Sequence, residues 1–326
     1  MIYLDNSATT RPCPACVRAM TEALTDCWGN PSSVYALGID AAHRLRQARQ
    51  AVAAALGAEP DRVFFTSGGT EADNWAILSA AERLGKRGRH IITTAVEHHA
   101  VLHPMQKLEA KGFEVTYLQP DHDGNITVEE LKKALRPDTI LVSVMMVNNE
   151  TGAVNDIAAV ARMLKVENSI ALLHTDAVQG FLKVPFKAKT LGADLISISG
   201  HKIHAPKGIG ALYIKSGVRL KPLIVGGAQE DGRRAGTENV PYICAFGEAS
   251  RIGAERAAEY QAHMRAVRDH AVERLGRENP GLITIGGGAP HILSISLPGY
   301  KSEVLMNFME AREIYVSKSS ACKKGG

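Results

Sequence analysis

The stretch RVFFTSGGTEADNWAILSAAERL, residues 62–84, contains the pattern that decides the fold. Its first five residues are mostly apolar and predict a buried strand over residues 62–66. The residues after the two glycines predict a helix over 71–84. The glycines allow backbone N–H groups to approach an anion at the helix N-terminus, and Thr70 adds a hydroxyl. A tight turn with a threonine helix cap explains the same residues equally well, and no Gly-Lys-Ser/Thr follows that would make this a Walker loop.

The same alternation of apolar runs and amphipathic stretches continues along the chain. Strands are predicted at residues 90–94, 114–118, 139–147, 170–175, 195–199 and 210–214. Helices are predicted at residues 41–56, 128–135 and 157–167. Strands that alternate with helices favour an α/β fold, with a mainly parallel sheet covered by helices on both faces. In such sheets ligands bind beyond the carboxyl ends of the strands.

The last third of the chain departs from this alternation. A long helix is predicted from about residue 241 to residue 275, and one more strand over residues 292–297. We therefore expect a large domain at residues 15–255. A smaller α/β domain is expected to combine residues 1–14 with residues 256–326.

Length and composition exclude several classes of protein. The chain has 326 residues, a formal charge of +4 and 45% hydrophobic residues, as is ordinary for a globular protein. It has no basic run with interleaved aromatic residues, so direct nucleic-acid binding is not expected. No apolar stretch has the length of a membrane span, and the first residues do not form a signal peptide. Five cysteines do not suggest a disulfide framework, and a cytoplasmic location is expected.

Two adjacent histidines, His98 and His99, follow the predicted strand over residues 90–94. The side chains of neighbouring residues diverge, and this segment supplies too few convergent ligands for a metal site. A single histidine at a strand end can stack on an aromatic cofactor and move protons. A histidine with a purely structural role is the alternative.

A carboxylate, Asp176, follows the predicted strand over residues 170–175. A carboxylate at a buried strand end is costly unless it is paired. The protonated pyridine nitrogen of pyridoxal 5′-phosphate (PLP) is one suitable partner, and Gln179 is placed to reach the ring's phenolic oxygen. An aspartate that caps the next helix is the simpler alternative for this residue taken alone.

A lysine, Lys202, follows the predicted strand over residues 195–199. A lysine after a strand and a glycine is a candidate for a Schiff base with a carbonyl compound. Its pKa would have to fall for the amine to act as a nucleophile, and burial near a cation has that effect. Ser199 and His201 are candidates for binding the cofactor phosphate. Lys202, Asp176 and Gln179 on successive strand ends together predict a PLP site.

These residues, taken in order, resemble the class V aminotransferases and most closely the group I cysteine desulfurases. The resemblance covers nearly the whole chain. It is carried by residues 3–10 (YLDNSATT), 29–33 (GNPSS), 67–74 (SGGTEADN), 97–101 (EHHAV), 147–152 (VNNETG), 199–203 (SGHKI) and 226–237 (GGAQEDGRRAGT). It implies the type I fold of PLP-dependent transferases, with PLP as cofactor and no metal.

The resemblance also implies a role for each matching residue. Lys202 would hold PLP as a Schiff base, and His99 would stack on the pyridine ring. Asp176 would face the ring nitrogen, with Gln179 and Asn149 near the ring oxygen and the substrate. The implied phosphate ligands are Gly69, Thr70, Ser199, His201 and, from the other subunit of a homodimer, Thr237.

The residue that indicates the reaction is Cys322, in the segment SKSSAC at residues 317–322. This segment is similar to the one that carries the nucleophilic cysteine of group I desulfurases. The resemblance implies that Cys322 takes sulfur from L-cysteine as a persulfide and that L-alanine is released. Lys318, Lys323 and Lys324 would favour the thiolate by charge. The sulfur would pass to an acceptor protein, either an iron–sulfur scaffold or a thiolation enzyme.

Other functions stay open at this point. A selenocysteine lyase, or another class V lyase or transaminase, would not need Cys322. A subunit with the PLP-enzyme fold that acts only by interaction is a further alternative. For Cys322 itself, the alternative to a nucleophile is a free thiol in a basic tail.

Some features depart from the family pattern. Asp231 stands where a basic residue is usual, and Ser319 replaces a common glycine before the cysteine. The chain stops at Gly326, whereas complete relatives continue through a further part of the small domain. That part includes an arginine that pairs with the substrate carboxylate, so we expect a truncated small domain without this arginine.

Cys13 and Cys16 form a Cys-Pro-Ala-Cys sequence near the N-terminus. Such spacing is typical of redox and zinc sites. No second cysteine pair completes a tetrahedral zinc site, and no thioredoxin pattern surrounds the two residues. We therefore expect them to be incidental structural cysteines.

Overall fold

The fold is described from a computed structural model that covers residues 1–318. Its strands are β1 (Ile2–Tyr3), β2 (Val63–Thr66), β3 (His90–Thr94), β4 (Glu114–Leu118), β5 (Thr139–Ser143), β6 (Leu172–Asp176), β7 (Leu195–Ser199), β8 (Gly210–Ile214), β9 (Ile283–Ile285), β10 (Ser294–Ser296) and β11 (Ile314–Tyr315). Its helices are α1 (Pro14–Thr25), α2 (Ala36–Leu56), α3 (Gly69–Leu84), α4 (His99–Glu109), α5 (Val128–Ala134), α6 (Ile157–Val166), α7 (Ala188–Leu191), α8 (Val240–Glu255), α9 (Ala257–Glu278) and α10 (Ser302–Glu310).

Strands β2 to β8 form the central sheet, in the order β2–β8–β7–β6–β5–β3–β4. Strand β8 runs antiparallel to both of its neighbours, and the other neighbouring pairs are parallel. The predicted α/β fold with a mainly parallel sheet is therefore confirmed. The parallel strands end at one edge of the sheet, where a ligand site is expected.

Helices cover both faces of the sheet and enclose two apolar cores. Alternate strand residues point to opposite faces, so that Phe64 belongs to one core and Phe65 to the other. Trp75 of α3 packs in the first core and Phe246 of α8 in the second. Both side chains are almost completely buried. Burial of a side chain of this size contributes about 1.5–3 kcal/mol.

The strand predicted over residues 139–147 is shorter in the structure, because β5 ends at Ser143. The backbone N–H groups of Val144 and Met146 still donate to carbonyl groups of the neighbouring β6 segment. On the other side β3 has already ended, and the N–H of Met145 donates to Glu97 Oε1 at 2.7 Å instead. A side chain thus replaces the missing strand partner.

The long helix predicted over residues 241–275 is two helices in the structure. Helix α8 ends before Arg256, whose backbone is not helical (φ −109°, ψ 13°), and α9 begins at Ala257. Helix α8 is apolar and packs against α1 and α2, whereas α9 has no buried residue. One helix therefore belongs to the core, and the other lies on its outside.

Short sheets form near both ends of the described chain. Strand β1 pairs in parallel with β11, so that Ile2 lies opposite Ile314. The strand predicted over residues 292–297 is β10, and it pairs with β9, which the sequence pattern did not predict. The division into domains at residues 14 and 256 stays a prediction.

Within residues 1–318, no helix combines the length and the apolar character that crossing a membrane requires.

Candidate active site

Lys202 lies in a short 3₁₀ turn, Gly200–Lys202, which follows directly after β7. Its Nζ donates hydrogen bonds to the carbonyl of Ser7 and, at 2.8 Å, to that of Ala8. Burial lowers the pKa of Lys202, while the nearby carboxylates of Asp176 and Asp5 act in the opposite direction. A larger fraction of neutral amine follows, as a nucleophilic or proton-accepting lysine needs.

Asp176 is the last residue of β6, and its side chain is buried. The backbone N–H of Val178 donates to its Oδ1 at 2.8 Å. Burial and, to a smaller extent, the nearby Asp73 carboxylate raise the pKa of Asp176 to about 7. No described residue forms an ion pair with Asp176. A cationic group bound at this carboxylate would offset the cost of its burial.

A buried polar network lies behind Asp176. His174 Nδ1 is 2.8 Å from Ser143 Oγ, and its Nε2 is 3.0 Å from Ser197 Oγ. The same Nε2 lies 3.4 Å from Asp73 Oδ1. Burial lowers the pKa of His174 to about 4 and raises the pKa of Asp73 to about 7. The network is therefore close to neutral, and it fixes β6 next to α3.

Asp73 and His174 were not assigned a role from the sequence. A signal exists for Asp73, which lies between Ala72 and Asn74 in the helix and is 1% exposed. A carboxyl group on the buried face of an apolar helix needs a partner. That partner comes from a strand about a hundred residues later in the chain, so only the fold identifies it.

Gln179 is buried next to the same segment as Lys202. Its Nε2 donates to the Ser7 carbonyl at 2.8 Å, and its Oε1 lies 3.3 Å from His291 Nε2. Burial lowers the pKa of His291 to about 3, so this ring is neutral at physiological pH. The structure thus places Gln179 beside Lys202, as predicted from their positions after neighbouring strands.

Lys183 is a further basic residue near the site that the sequence interpretation missed. It is 9% exposed and makes no ion pair or hydrogen bond through its amine with any residue in 1–318. Burial and the charge of Lys202 lower the pKa of Lys183 to about 8. Lys183 lies four residues after Gln179, and this spacing is typical of neighbours on a helical turn. The spacing was therefore the signal in the sequence that could have placed Lys183 near the site.

The adjacent histidines occupy different positions at the start of α4. His98 is the N-cap, and its Nδ1 accepts a hydrogen bond from the Ala100 N–H at 3.1 Å. His99 is the first helical residue, and its ring centroid lies 4.9 Å from that of His103. Burial lowers the pKa of His98. The two histidines thus differ in position: His98 caps the helix, whereas His99, the predicted stacking residue, lies within it.

The glycine-containing turn before α3 borders a cleft of about 370 Å³. Gly68 has a positive φ of 153°, which glycine adopts readily. A Cβ on Gly69 would lie 2.7 Å from Val178 Cγ2, so only glycine fits here without a shift. The residues that line the cleft are Ala8, Thr9, Ser67, Gly68, Gly69, Thr70, Glu71, Ser199, His201, Lys207 and Gly208.

Four predicted phosphate ligands therefore meet at this cleft: Gly69, Thr70, Ser199 and His201. His201 Nδ1 lies 3.2 Å from Thr9 Oγ1. Burial, together with the charges of Lys202 and Lys207, lowers the pKa of His201 to about 4. Lys207 was not predicted, and it adds positive charge to a cleft at a helix N-terminus. The arrangement suits a phosphate group.

Two other predicted residues lie apart from this cleft. Asn149 follows Asn148, whose Oδ1 accepts hydrogen bonds from the N–H groups of Glu150 and Thr151. Thr237 is exposed on the segment that precedes α8. Their predicted contacts with the cofactor stay predictions.

The segment that contains Asp231 is fixed by its neighbours. Glu230 is buried and accepts two hydrogen bonds from Arg49, at 2.6 and 2.7 Å, and one from the Phe65 N–H at 2.9 Å. Arg234 binds Glu71 at 2.8 Å. Asp231 itself is exposed and forms no ion pair with the described residues. The aspartate that replaces the usual basic residue here therefore leaves the contacts of Glu230 and Arg234 in place.

Cys322 and Ser319 lie outside the described residues. The segment before them is described as far as Lys318. Ser317 Oγ donates to Asp5 Oδ1 at 2.9 Å, and Lys318 pairs with Glu303 at 2.9 Å. This segment therefore approaches residues 5–8, which contact Lys202.

Comparison with known proteins agrees with the geometry. Residues 2–325 match the family model described as aminotransferase class-V. The chain belongs to this family. It is 44% identical over 330 residues to the cysteine desulfurase IscS of Methanosarcina thermophila, covering 98% of this chain and 80% of the relative.

Solved structures that are similar to this chain support the same assignment. The chain is similar to a NifS-like protein with a TM-score of 0.94 and 41% identity, covering 98% of this chain and 87% of the other. A structure described as SspA in complex with cysteine has a TM-score of 0.84 and 31% identity, covering 99% of this chain and 90% of the other. The predicted family and its fold are confirmed.

Proposed function

We propose that the chain is a PLP-dependent cysteine desulfurase. It converts L-cysteine to L-alanine and transfers the sulfur to Cys322 as a persulfide. The observation that carries this function is the meeting of Lys202 with Asp176 beside a glycine-bordered anion cleft. The chain in which they meet is 44% identical over most of its length to a protein named a cysteine desulfurase.

The residues present fit PLP by their chemistry. Asp176 is a buried carboxyl group without an ion-pair partner in residues 1–318, which suits a pyridinium nitrogen. Gly69 lies where a Cβ would collide with Val178, and the cleft next to it combines a helix N-terminus with Lys207. Bound there, PLP supplies an electron sink for chemistry at the substrate carbon. His99 and Gln179 would orient its ring.

Residues of this chain would bind and move protons around that group. The lowered pKa of Lys202 keeps part of its Nζ neutral, so that it can accept a proton and return it. The carbonyl groups of Ser7 and Ala8 hold Nζ in position. Segment 5–10 also covers the lysine and limits access of water to it.

Cys322 would act as the sulfur acceptor within the enzyme. Its thiolate attacks the sulfur of the bound cysteine, so that the S–S bond forms while the carbon–sulfur bond breaks. The carbon takes up a proton and leaves as L-alanine. Lys323 and Lys324 follow in sequence and favour the thiolate by charge.

The proposal extends to assembly and partners. Trp28, Val34 and Tyr35 are 67%, 91% and 60% exposed, and exposed apolar side chains of this kind favour an interface. This interface would belong to a homodimer in which Thr237 of one subunit binds the PLP phosphate in the site of the other subunit. The sulfur acceptor would be a scaffold or a thiolation enzyme in the cytoplasm, for iron–sulfur cluster assembly or thiolation.

Product analysis with L-cysteine tests the function. The PLP-loaded protein is incubated with L-cysteine and a reductant, and L-alanine and sulfide are measured. We expect both products from the wild type and from the matched control Cys244→Ser, and neither from Cys322→Ser. Equal activity of Cys322→Ser would contradict the desulfurase mechanism and favour a selenocysteine lyase or another class V lyase. No product from the wild type would reject the activity itself.

A further inference from the structure

The cysteine pair at the start of α1 has a geometry that the sequence interpretation did not anticipate. Cys13 is the N-cap of the helix, and Cys16 lies in its first turn. Their Sγ atoms are 2.9 Å apart. The backbone N–H of Cys16 also points to Cys13 Sγ, at 3.4 Å. The two sulfur atoms are therefore in direct contact at a helix N-terminus.

This contact is close to the geometry of a disulfide. A disulfide bond is about 2.05 Å long, so the sulfur atoms have to approach each other by less than about 1 Å. Side chains three residues apart lie on one face of a helix, and a small side-chain rotation is enough for this approach. The backbone of α1 can stay in place.

The two cysteines differ in exposure. Cys16 is completely buried, whereas Cys13 is partly exposed. Burial and the hydrogen bond with Cys13 raise the pKa of the Cys16 thiol. Cys13 is thus placed to react with a molecule from solution, and Cys16 to react only with Cys13.

We propose that Cys13 and Cys16 are a redox-active dithiol that forms an intramolecular disulfide by exchange with a low-molecular-weight disulfide. The Cys13 thiolate attacks one sulfur of the small disulfide, forms a mixed disulfide and releases one thiolate. Cys16 loses its proton, attacks Cys13 Sγ and releases the second thiolate. Two protein thiols are oxidised, one disulfide is reduced to two thiols, and the two protons pass to the released thiolates.

The surroundings favour this role over zinc binding. In residues 1–318, no group of three or more cysteine, histidine, aspartate or glutamate side chains is arranged to hold a metal ion. Two thiols in contact with no third ligand form a bond more readily than a metal site. The pair is also separate from Cys27 and Cys244, which have no sulfur contact of this kind.

The pair is connected to the lysine loop through the backbone. The Cys13 N–H donates to the His204 carbonyl at 2.9 Å, and Thr10 Oγ1 donates to the His201 carbonyl at 2.8 Å. Residues 7–13 thus run from the contacts of Lys202 to the start of α1. A disulfide would fix the end of the segment that covers Lys202.

Alkylation and mass spectrometry test the proposal. The reduced full-length protein with its cofactor is equilibrated with mixtures of oxidised and reduced glutathione, the free thiols are alkylated, and tryptic peptides are analysed. The peptide that ends at Arg18 contains both cysteines. In the wild type we expect it to lose both alkylation sites together and two hydrogen atoms in mass, and the control Cys27→Ser should give the same result.

The single variants separate the two roles. Cys16→Ser is expected to accumulate glutathione on Cys13, one molecule per chain, because no second thiol resolves the mixed disulfide. Cys13→Ser is expected to leave Cys16 reduced and without glutathione. Two alkylated cysteines in the wild-type peptide under the most oxidising mixture would overturn the proposal. Glutathione that stays on Cys13 in the wild type would overturn it as well, since Cys16 would then not resolve the bond.

Discussion

At the scale of single residues, the site depends on ionisable groups that are partly or wholly removed from water. Asp176 is buried and Lys202 is half-buried, and burial shifts the pKa of each in the direction that favours its neutral form. A bound pyridinium and phosphate would change this balance, because Asp176 gains a cationic partner and the cleft at α3 gains an anion. The ionisable side chains of the site are therefore shifted towards their neutral forms, although their arrangement suits a charged ligand.

Lys202 should be required for covalent retention of the cofactor. In Lys202→Ala the amine that would hold PLP is lost, so borohydride treatment of the PLP-loaded variant should leave the chain at its unmodified mass. The wild type should gain one PLP unit per chain. Alanine formation should fall by about 10²–10⁴-fold, because the proton carrier is lost as well.

The matched control for Lys202 is Lys215→Ala, since Lys215 forms a surface ion pair with Asp194. It should behave as the wild type in both measurements. PLP fixed at an unchanged yield in Lys202→Ala would show that another lysine, such as Lys183, holds the cofactor.

Asp73 should make stability depend on pH in a defined direction. Burial raises its pKa from 3.8 to about 7, so between these values the folded protein binds more protons than the unfolded chain. The contribution of Asp73 to stability is therefore present at low pH and is lost as pH rises through about 7. The side-chain amide introduced by Asp73→Asn resembles the protonated carboxyl group and does not titrate.

The measurement for Asp73 is urea unfolding of the cofactor-free protein from pH 4 to pH 8. The quantity to follow is the free energy of unfolding of Asp73→Asn minus that of the wild type, because neighbouring histidines titrate in both proteins. This difference should increase as pH rises, by about 1.4 kcal/mol for each unit by which folding raises the pKa of Asp73. A difference that moves the other way would mean that a cation pairs with Asp73 in the folded protein.

At the scale of elements, close packing decides which helices belong to the core. Gly247 of α8 faces α2, and a Cβ added there would lie 2.7 Å from Ala48 Cα and Cβ. Gly276 of α9 has nothing within 4 Å of an added Cβ. The two glycines thus lie in consecutive helices but in opposite environments.

Alanine substitutions at these glycines should have opposite effects. Gly247→Ala should reduce the free energy of unfolding by about 1–3 kcal/mol through overpacking. Gly276→Ala should increase it by about 0.5–1 kcal/mol, because alanine is the better helix former. Denaturant unfolding of both variants measures this, and equal effects at the two positions would contradict the separation of α8 from α9.

The break between these helices also marks a limit of sequence interpretation. Neither glycine nor proline stands at Arg256, and helix-forming residues continue across it, so one helix was predicted. What separates α8 from α9 is the change from a packed to an exposed environment, together with local contacts of Arg256 with Glu259 and Tyr260. The central strands were predictable, because a buried parallel strand is a continuous apolar run.

At the scale of the whole molecule, the sequence indicated most of the residues of the candidate site because they lie at or just after strand ends. Asp176 ends β6, Ser199 ends β7 and Lys202 follows β7, and a parallel sheet brings such positions together. Asp73, Lys183 and His291 were missed, because their importance comes from contacts across the fold. The role of Thr237 is a different case, since it depends on a second copy of the chain.

Mixed dimers test whether Thr237 acts across the dimer. A chain with Lys202→Ala is combined with a chain with Thr237→Glu, whose charge would repel the phosphate. If Thr237 serves the site of the other subunit, one site of this mixed dimer combines an intact Lys202 with an intact Thr237. We expect that site to bind PLP with wild-type affinity, at one PLP per dimer, with about half of the wild-type activity.

The decisive control places both substitutions on one chain and pairs it with a wild-type chain. With Thr237 acting across the dimer, each site then contains one defect, and neither should bind PLP normally. With Thr237 acting within its own chain, the wild-type subunit would keep one intact site, and the first mixed dimer would have none. The two arrangements therefore give opposite results, and PLP titration of tagged, purified mixed dimers distinguishes them. Sedimentation of the same samples establishes that they are dimers, because a Thr237 that acts in the other subunit requires one.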